Sequence, residues 1–146
     1  MKIAIGADHA GFEYKSKLID WLKKEGYNVI DFGTNSNESC DYPDYAYPSA
    51  EAVANNTVDF GVIICGTGIG MSMTANKVNG VRAANCMTTE MARMARFHND
   101  ANVITLGARL ISLEQAKEFI KVFLETRFEG GRHITRVEKI HLLTGC

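Results

Sequence analysis

Short apolar, β-prone runs alternate with longer amphipathic stretches, and this alternation constrains the fold of the chain more than any other feature. Lys2-Ile3-Ala4-Ile5-Gly6 reads as a buried strand ending in the polar turn Asp8-His9-Ala10-Gly11. From Phe12 onward Leu18, Ile19, Trp21 and Leu22 recur at helical spacing among lysines, and Gly26 stands where a helix stop belongs. Asn28 to Phe32 is a second strand. Asn35 to Tyr45 is polar and turn-rich, and a helix follows from about Ala46 to Ala54. Asp59 to Cys65 is the clearest strand, broken at once by Gly66-Thr67-Gly68-Ile69-Gly70.

The second half repeats the pattern. A short helix through Met73 and Ala75 leads to a strand near Val81 to Ala84, then a helix from about Thr89 to Phe97 and a polar break at His98-Asn99-Asp100. Asn102 to Leu106 is the fifth strand. Ser112 opens a helix with Glu114 and Gln115 in its first turn and Ala116, Phe119, Ile120, Phe123 and Leu124 on its apolar face. Gly130-Gly131 interrupts, and a last amphipathic segment runs from about Arg132 to Leu143. Strands separated by helices make a parallel sheet covered on both faces, so a three-layer α/β/α sandwich with five parallel strands is expected.

Composition narrows the function. At 146 residues the chain suits one domain spanning 1–146, and 46% hydrophobic with 23% charged residues excludes a disordered chain. A net charge of −1 offers no counterion-release drive toward nucleic acid or anionic lipid. No apolar run approaches the roughly 20 residues of a membrane span, and Gly6-Ala7-Asp8 interrupts the start too soon for a signal peptide. A cytoplasmic protein is expected. Cys40, Cys65, Cys86 and Cys146 form no C-x-x-C pair and read as free thiols in a reducing compartment.

Ligands of open parallel sheets gather beyond the carboxyl ends of the strands. Asp8-His9 and the Cys65–Gly70 segment fall there. His98-Asn99 precedes a strand, so it reaches that edge only if the preceding helix returns there. The N–H groups of Gly66 to Gly70 can converge on an anion, although the loop is neither a Walker A nor a G-x-G-x-x-G motif, and a tight turn also needs small residues. Cys65 immediately before it is either packing or a thiolate held by those N–H groups and able to act as a base. Arg132 and Arg136, four apart, share a helix face that is either solvated or a phosphate clamp. His133 between them points elsewhere and reads as structural or surface.

Gly6-Ala7-Asp8-His9-Ala10-Gly11, Asp41-Tyr42-Pro43, Ile64 to Gly70, Ala75-Asn76-Lys77, His98 to Asn102 and Glu129-Gly130-Gly131-Arg132-His133 together closely resemble the type B ribose-5-phosphate isomerases of the ribose/galactose isomerase family. The likeness covers essentially the whole chain. It implies strand order 2-1-3-5-4 and reversible aldose–ketose isomerisation of ribose 5-phosphate and ribulose 5-phosphate without metal or organic cofactor. It also implies a homodimer, or a dimer of dimers, with active sites shared between subunits. By the same resemblance Cys65 is the base, His98 opens the furanose ring and Thr67 assists at the ring oxygen. Asp8 and Asn99 hold sugar hydroxyls, Tyr42 lines the pocket, and His9, Arg109, Arg132 and Arg136 contact phosphate or sugar. Gly66, Gly68, Ile69 and Gly70 supply the N–H groups. Some members place a glutamate base at or close to the position of Ala75; this chain keeps Cys65 and has no acid there, so it resembles the thiol-using branch. Six-carbon substrates (allose 6-phosphate or galactose 6-phosphate) and a non-catalytic phosphate-binding module are the alternatives.

Overall fold

A computed structural model of the chain describes residues 1–145; the thiol of Cys146 lies outside the described residues. The elements alternate as expected: β1 (Lys2–Ala7), α1 (Phe12–Lys24), β2 (Asn28–Asp31), α2 (Pro43–Ala54), β3 (Phe60–Cys65) and α3 (Ile69–Ala75), followed by β4 (Ala83–Asn85), α4 (Thr89–Asn99), β5 (Val103–Gly107), α5 (Leu113–Glu125) and α6 (Arg132–Thr144). All strand pairings are parallel, and the sheet order is β2-β1-β3-β5-β4. That is the order the family likeness implies.

Side-chain alternation along the strands divides the core in two. Ile3, Ile5, Val62, Ile64, Ile104 and Leu106 pack with Leu18 and Leu22 of α1, Ala92 and Ala95 of α4, and the Phe119, Ile120 and Phe123 stripe of α5. On the other face Ala4, Ile63, Cys65 and Val103 meet Ala46, Ala50 and Val53 of α2 and Met71 and Ala75 of α3. α6 lies outside these layers, against α4.

Local chemistry sets the boundaries. Ser112 caps α5 through the Gln115 N–H while Gln115 reaches back to the Ser112 N–H, a complete capping box. The strand bounds shift by one or two residues from the sequence reading, and two helix boundaries differ with a clear local cause. α2 starts at Pro43 rather than Ala46, because proline at the first helical position has no N–H to lose and a φ already suited to the helix. His98 and Asn99 are not a polar break but the last residues of α4, which ends one residue later at Asp100 in the left-handed region.

An ion pair with a buried cation and a partly exposed carboxylate fastens α1 to the sheet. Lys15, 1% exposed, donates from Nζ to both carboxylate oxygens of Asp31 at 2.7 and 2.6 Å. Asp31 Oδ1 also accepts the Gly33 N–H at 2.9 Å.

Candidate active site

β1, β3, β4 and β5 bring Ala7, Cys65, Asn85 and Gly107 to one carboxyl edge of the sheet. There the chain crosses itself closely. A Cβ on Gly11 would lie 2.6 Å from the Ile64 carbonyl oxygen, so only glycine lets the β1 turn pass over the end of β3. This crossing sets Asp8 beside the thiol loop: its backbone N–H donates to the Ile64 carbonyl at 3.2 Å. Asp8 Oδ1 accepts the N–H groups of Ala10 and Gly11 at 2.9 and 3.2 Å, which fixes the carboxylate at the entry to α1. Next to it His9 Nδ1 accepts the Cys40 N–H at 3.3 Å. That bond assigns the remaining ring proton to Nε2, leaving His9 a donor on its far side.

Cys65 ends β3 with 5% of its surface exposed. Its Sγ accepts the backbone N–H of Gly68 at 3.1 Å. Gly68 is left-handed at φ +78°, a conformation that turns its N–H back toward the sulfur, and a Cβ there would meet the Leu106 backbone at 3.0 and 3.1 Å. Thr67 is exposed, and its Oγ1 accepts the Ile69 N–H at 3.3 Å. Arg109, just past β5, lies over Gly66: its Nη1 would stand 3.1 Å from a Cβ at that position, and its own N–H donates to the Gly66 carbonyl. Tyr42 lays its ring across Gly70. The Asp8, His9, Cys65, Gly66, Thr67, Gly68, Ile69, Gly70 and Arg109 positions therefore gather at one edge.

The remaining candidates do not. α4 leaves this edge after β4 and runs back to the start of β5, carrying His98 and Asn99 to the opposite edge. Arg82, which immediately precedes β4, ties the end of α4 there: Nε donates to the carbonyls of Asn99 and Asp100, and Nη2 pairs with the Asp100 carboxylate at 3.1 Å. Arg132 and Arg136 begin α6 at that edge, since the Glu129 N–H just before it bonds the Phe97 carbonyl. Both arginines are exposed, and Arg136 Nη1 donates to the Arg132 carbonyl, so they do share a face. Five strand residues, about 16 Å, separate the two edges.

Of two further residues with clear contacts, His133 reads from sequence only as structural or surface, and Asn85 is not singled out. His133 is buried, not superficial; its ring stacks on His98 with centroids 4.4 Å apart and planes 19° from parallel. Asn85 supports the thiol loop, donating to the Thr67 carbonyl and accepting from Thr105 Oγ1. Only its position, one residue past the expected end of β4, separates it from the many polar residues of the chain. Cys86 is a different kind of thiol: burial pushes it up to about 12, so it stays protonated and inert.

A cavity of about 540 Å³ lies away from Cys65. It runs along the unpaired edge of β4, between Val81, Ala84, Met91, Met94, Asn99 and Ile140. Met73, Met91, Ile140, Leu142 and Leu143 are exposed apolar residues, and Met91 and Ile140 border this groove. Among the described residues no helix is long and apolar enough to cross a membrane.

A parallel α/β/α sandwich with a thiol, a glycine-rich turn whose Gly68 N–H meets it and an arginine gathered at its carboxyl edge is an α/β protein with polar groups clustered where open sheets of this kind bind small molecules. Comparison with known proteins makes the class specific. The Ribose/Galactose Isomerase family model matches residues 3–140. Ribose-5-phosphate isomerase B of Escherichia coli is 48% identical, covering 95% of this chain and 93% of its own. D-erythrulose-4-phosphate isomerase of Pectobacterium atrosepticum is 47% identical, covering 96% and 93%. The structure of Clostridium thermocellum ribose-5-phosphate isomerase B superimposes with a TM-score of 0.98 at 52% identity, covering 99% of this chain and 98% of that one. The chain belongs to the ribose/galactose isomerase family, and it is a sugar-phosphate isomerase.

Proposed function

We propose that the protein interconverts ribose 5-phosphate and ribulose 5-phosphate through an enediolate, with Cys65 as the base and no metal in the chemical step. The observation that carries this reading is the Gly68 N–H donated to Cys65 Sγ at 3.1 Å, at the mouth of β3. A proton alpha to a carbonyl is removed only if the charge that develops is met as it forms. In the proposed reaction the Cys65 thiolate takes the C2 proton of the open-chain aldose and returns it to C1, while the N–H groups of Gly66 to Gly70 face the enediolate oxygens. Thr67 and Asp8 hold hydroxyls of the sugar. His9 and Arg109 turn donors toward its oxygens. Binding of the distant phosphate then holds the reacting carbons against the sulfur.

His98 as the ring-opening group, Asn99 as a hydroxyl partner, and Arg132 and Arg136 as the phosphate clamp cannot reach this edge from the same chain. We infer that they come from a second copy, so that two chains share two sites. The placement of these residues at the opposite edge supports this, as do the unpaired edge of β4, the apolar groove beside it and the exposed Met91 and Ile140.

The test is a substrate panel on purified, chelator-treated protein: ribose 5-phosphate, allose 6-phosphate, galactose 6-phosphate and, because one relative is named for it, erythrulose 4-phosphate. Highest kcat/KM on ribose 5-phosphate, unchanged by chelator, is expected. A preference for another sugar revises the substrate, and loss of activity restored only by a divalent ion overturns the metal-free chemistry.

A further inference from the structure

His98, Glu129 and His133 each offer a ligand atom, and these atoms lie within 4.8 Å of one another. Three separate backbone segments hold them in place: the last turn of α4, the loop tied to it by the Glu129 N–H, and the first turn of α6. His133 is 8% exposed, and its Nε2 faces Glu129 Oε2 at 3.0 Å without the alignment of a hydrogen bond. A buried ring nitrogen left in that state is unusual, because burial without a partner is costly. A cation between the two atoms satisfies both. With metal–ligand bonds of about 2.0–2.2 Å, a 3.0 Å edge between nitrogen and oxygen subtends about 90° at the ion, within the range of a four- or five-coordinate site. The His98 ring, already stacked on His133, closes the third position by a rotation of its side chain. Glu129 is half exposed, so the remaining position opens to water.

We propose that His98, Glu129 and His133 form a site for one divalent transition-metal ion of the zinc type, and that occupancy inhibits the enzyme. Two imidazoles and one carboxylate suit a borderline ion rather than magnesium or calcium. The inhibition rests on the ring-opening role given to His98: a metal on the His98 nitrogen removes the lone pair that moves the proton. Chelator therefore protects activity, and zinc opposes it.

The experiment separates the site from that role. Cobalt(II) absorption and zinc titration calorimetry are carried out on chelator-stripped protein of three kinds: wild type, Glu129→Gln and Cys65→Ala. Turnover of wild type and Glu129→Gln is measured in parallel against zinc concentration. One ion per chain is expected in wild type and in Cys65→Ala, with at least 10-fold weaker binding in Glu129→Gln. Glu129 is exposed, so the substitution spares the fold and the metal-free rate. The zinc concentration for half-inhibition rises by the same factor. Binding that is lost in Cys65→Ala and kept in Glu129→Gln places the ion on the thiol and overturns the site. Binding of the expected kind with turnover unaffected upholds the site, overturns the inhibition and removes His98 from the reaction.

Discussion

Gly68→Ala and Gly26→Ala make a matched pair, because both glycines are left-handed but only one is crowded. Gly26, at φ +89°, follows α1 and has no atom within 4 Å of where a Cβ would stand. Alanine there costs only the left-handed strain, about 1–2 kcal/mol. At Gly68 the same strain is joined by contact with Asn85 Oδ1 and by approaches of 3.0 and 3.1 Å to the Leu106 backbone, which cannot swing aside. Overpacking of this sort adds about 1–3 kcal/mol, for a total of about 2–5 kcal/mol. Relief requires the loop to move, and movement carries the Gly68 N–H away from Cys65 Sγ. Removing one preorganised donor of this type lowers turnover about 100-fold. Urea unfolding midpoints and kcat for the two variants measure both quantities. The Gly68 variant is expected to be the less stable by about 1–3 kcal/mol and alone to lose turnover. Equal stabilities, or a Gly68→Ala enzyme at the wild-type rate, would refute the argument that this turn is shaped around the sulfur.

Further predictions bear on stability and assembly. Asp31→Asn strands the ammonium of Lys15, whose side chain is 2% exposed, and should cost about 2–3 kcal/mol in denaturant unfolding; this is less than a fully buried pair because the Asp31 side chain is 37% open to water. Adding Lys15→Met should recover most of that loss, and no recovery would show that the cation is not the cause. Cys86 stays protonated in the folded chain up to about 12, whereas the unfolded thiol ionises near 8.5. The folded state therefore binds the extra proton between about pH 9 and 12, and stability falls there by up to about 1.4 kcal/mol per pH unit. Cys86→Ala should flatten this alkaline slope, and an unchanged slope would exclude the thiol as its source. Mixing unfolded Cys65→Ala and His98→Asn chains and refolding them together should restore roughly a quarter of the wild-type activity, because half the dimers then carry one intact site. No recovery would contradict a site built from two chains.

Much of this fold is legible in the sequence because its signals are local. The Ser112–Gln115 box, the Gly26 stop and the unbroken apolar run to Cys65 each follow from chemistry within a few residues. Sequence spacing also shows that the nest follows a strand and opens a helix. What it does not show is direction over long range. His98 and Cys65 read as parts of one constellation, yet whether α4 returns to the edge of Cys65 depends on where the helix ends relative to β5. Its continuation through Asn99 carries His98 away. His133 hides for the same reason: helical periodicity sets it apart from Arg132 and Arg136, but only the packing of α6 on α4 places it on His98. The strand order came through family likeness, since hydrophobic periodicity carries no information about which parallel strands are neighbours.

The most direct measurement is the turnover of ribose 5-phosphate by chelator-treated Cys65→Ala, alongside its affinity for the same sugar phosphate. The account predicts a fall in kcat of about 10²–10⁴-fold, the usual contribution of a positioned base, with binding nearly unchanged. Isomerisation by the variant at the wild-type rate would contradict it.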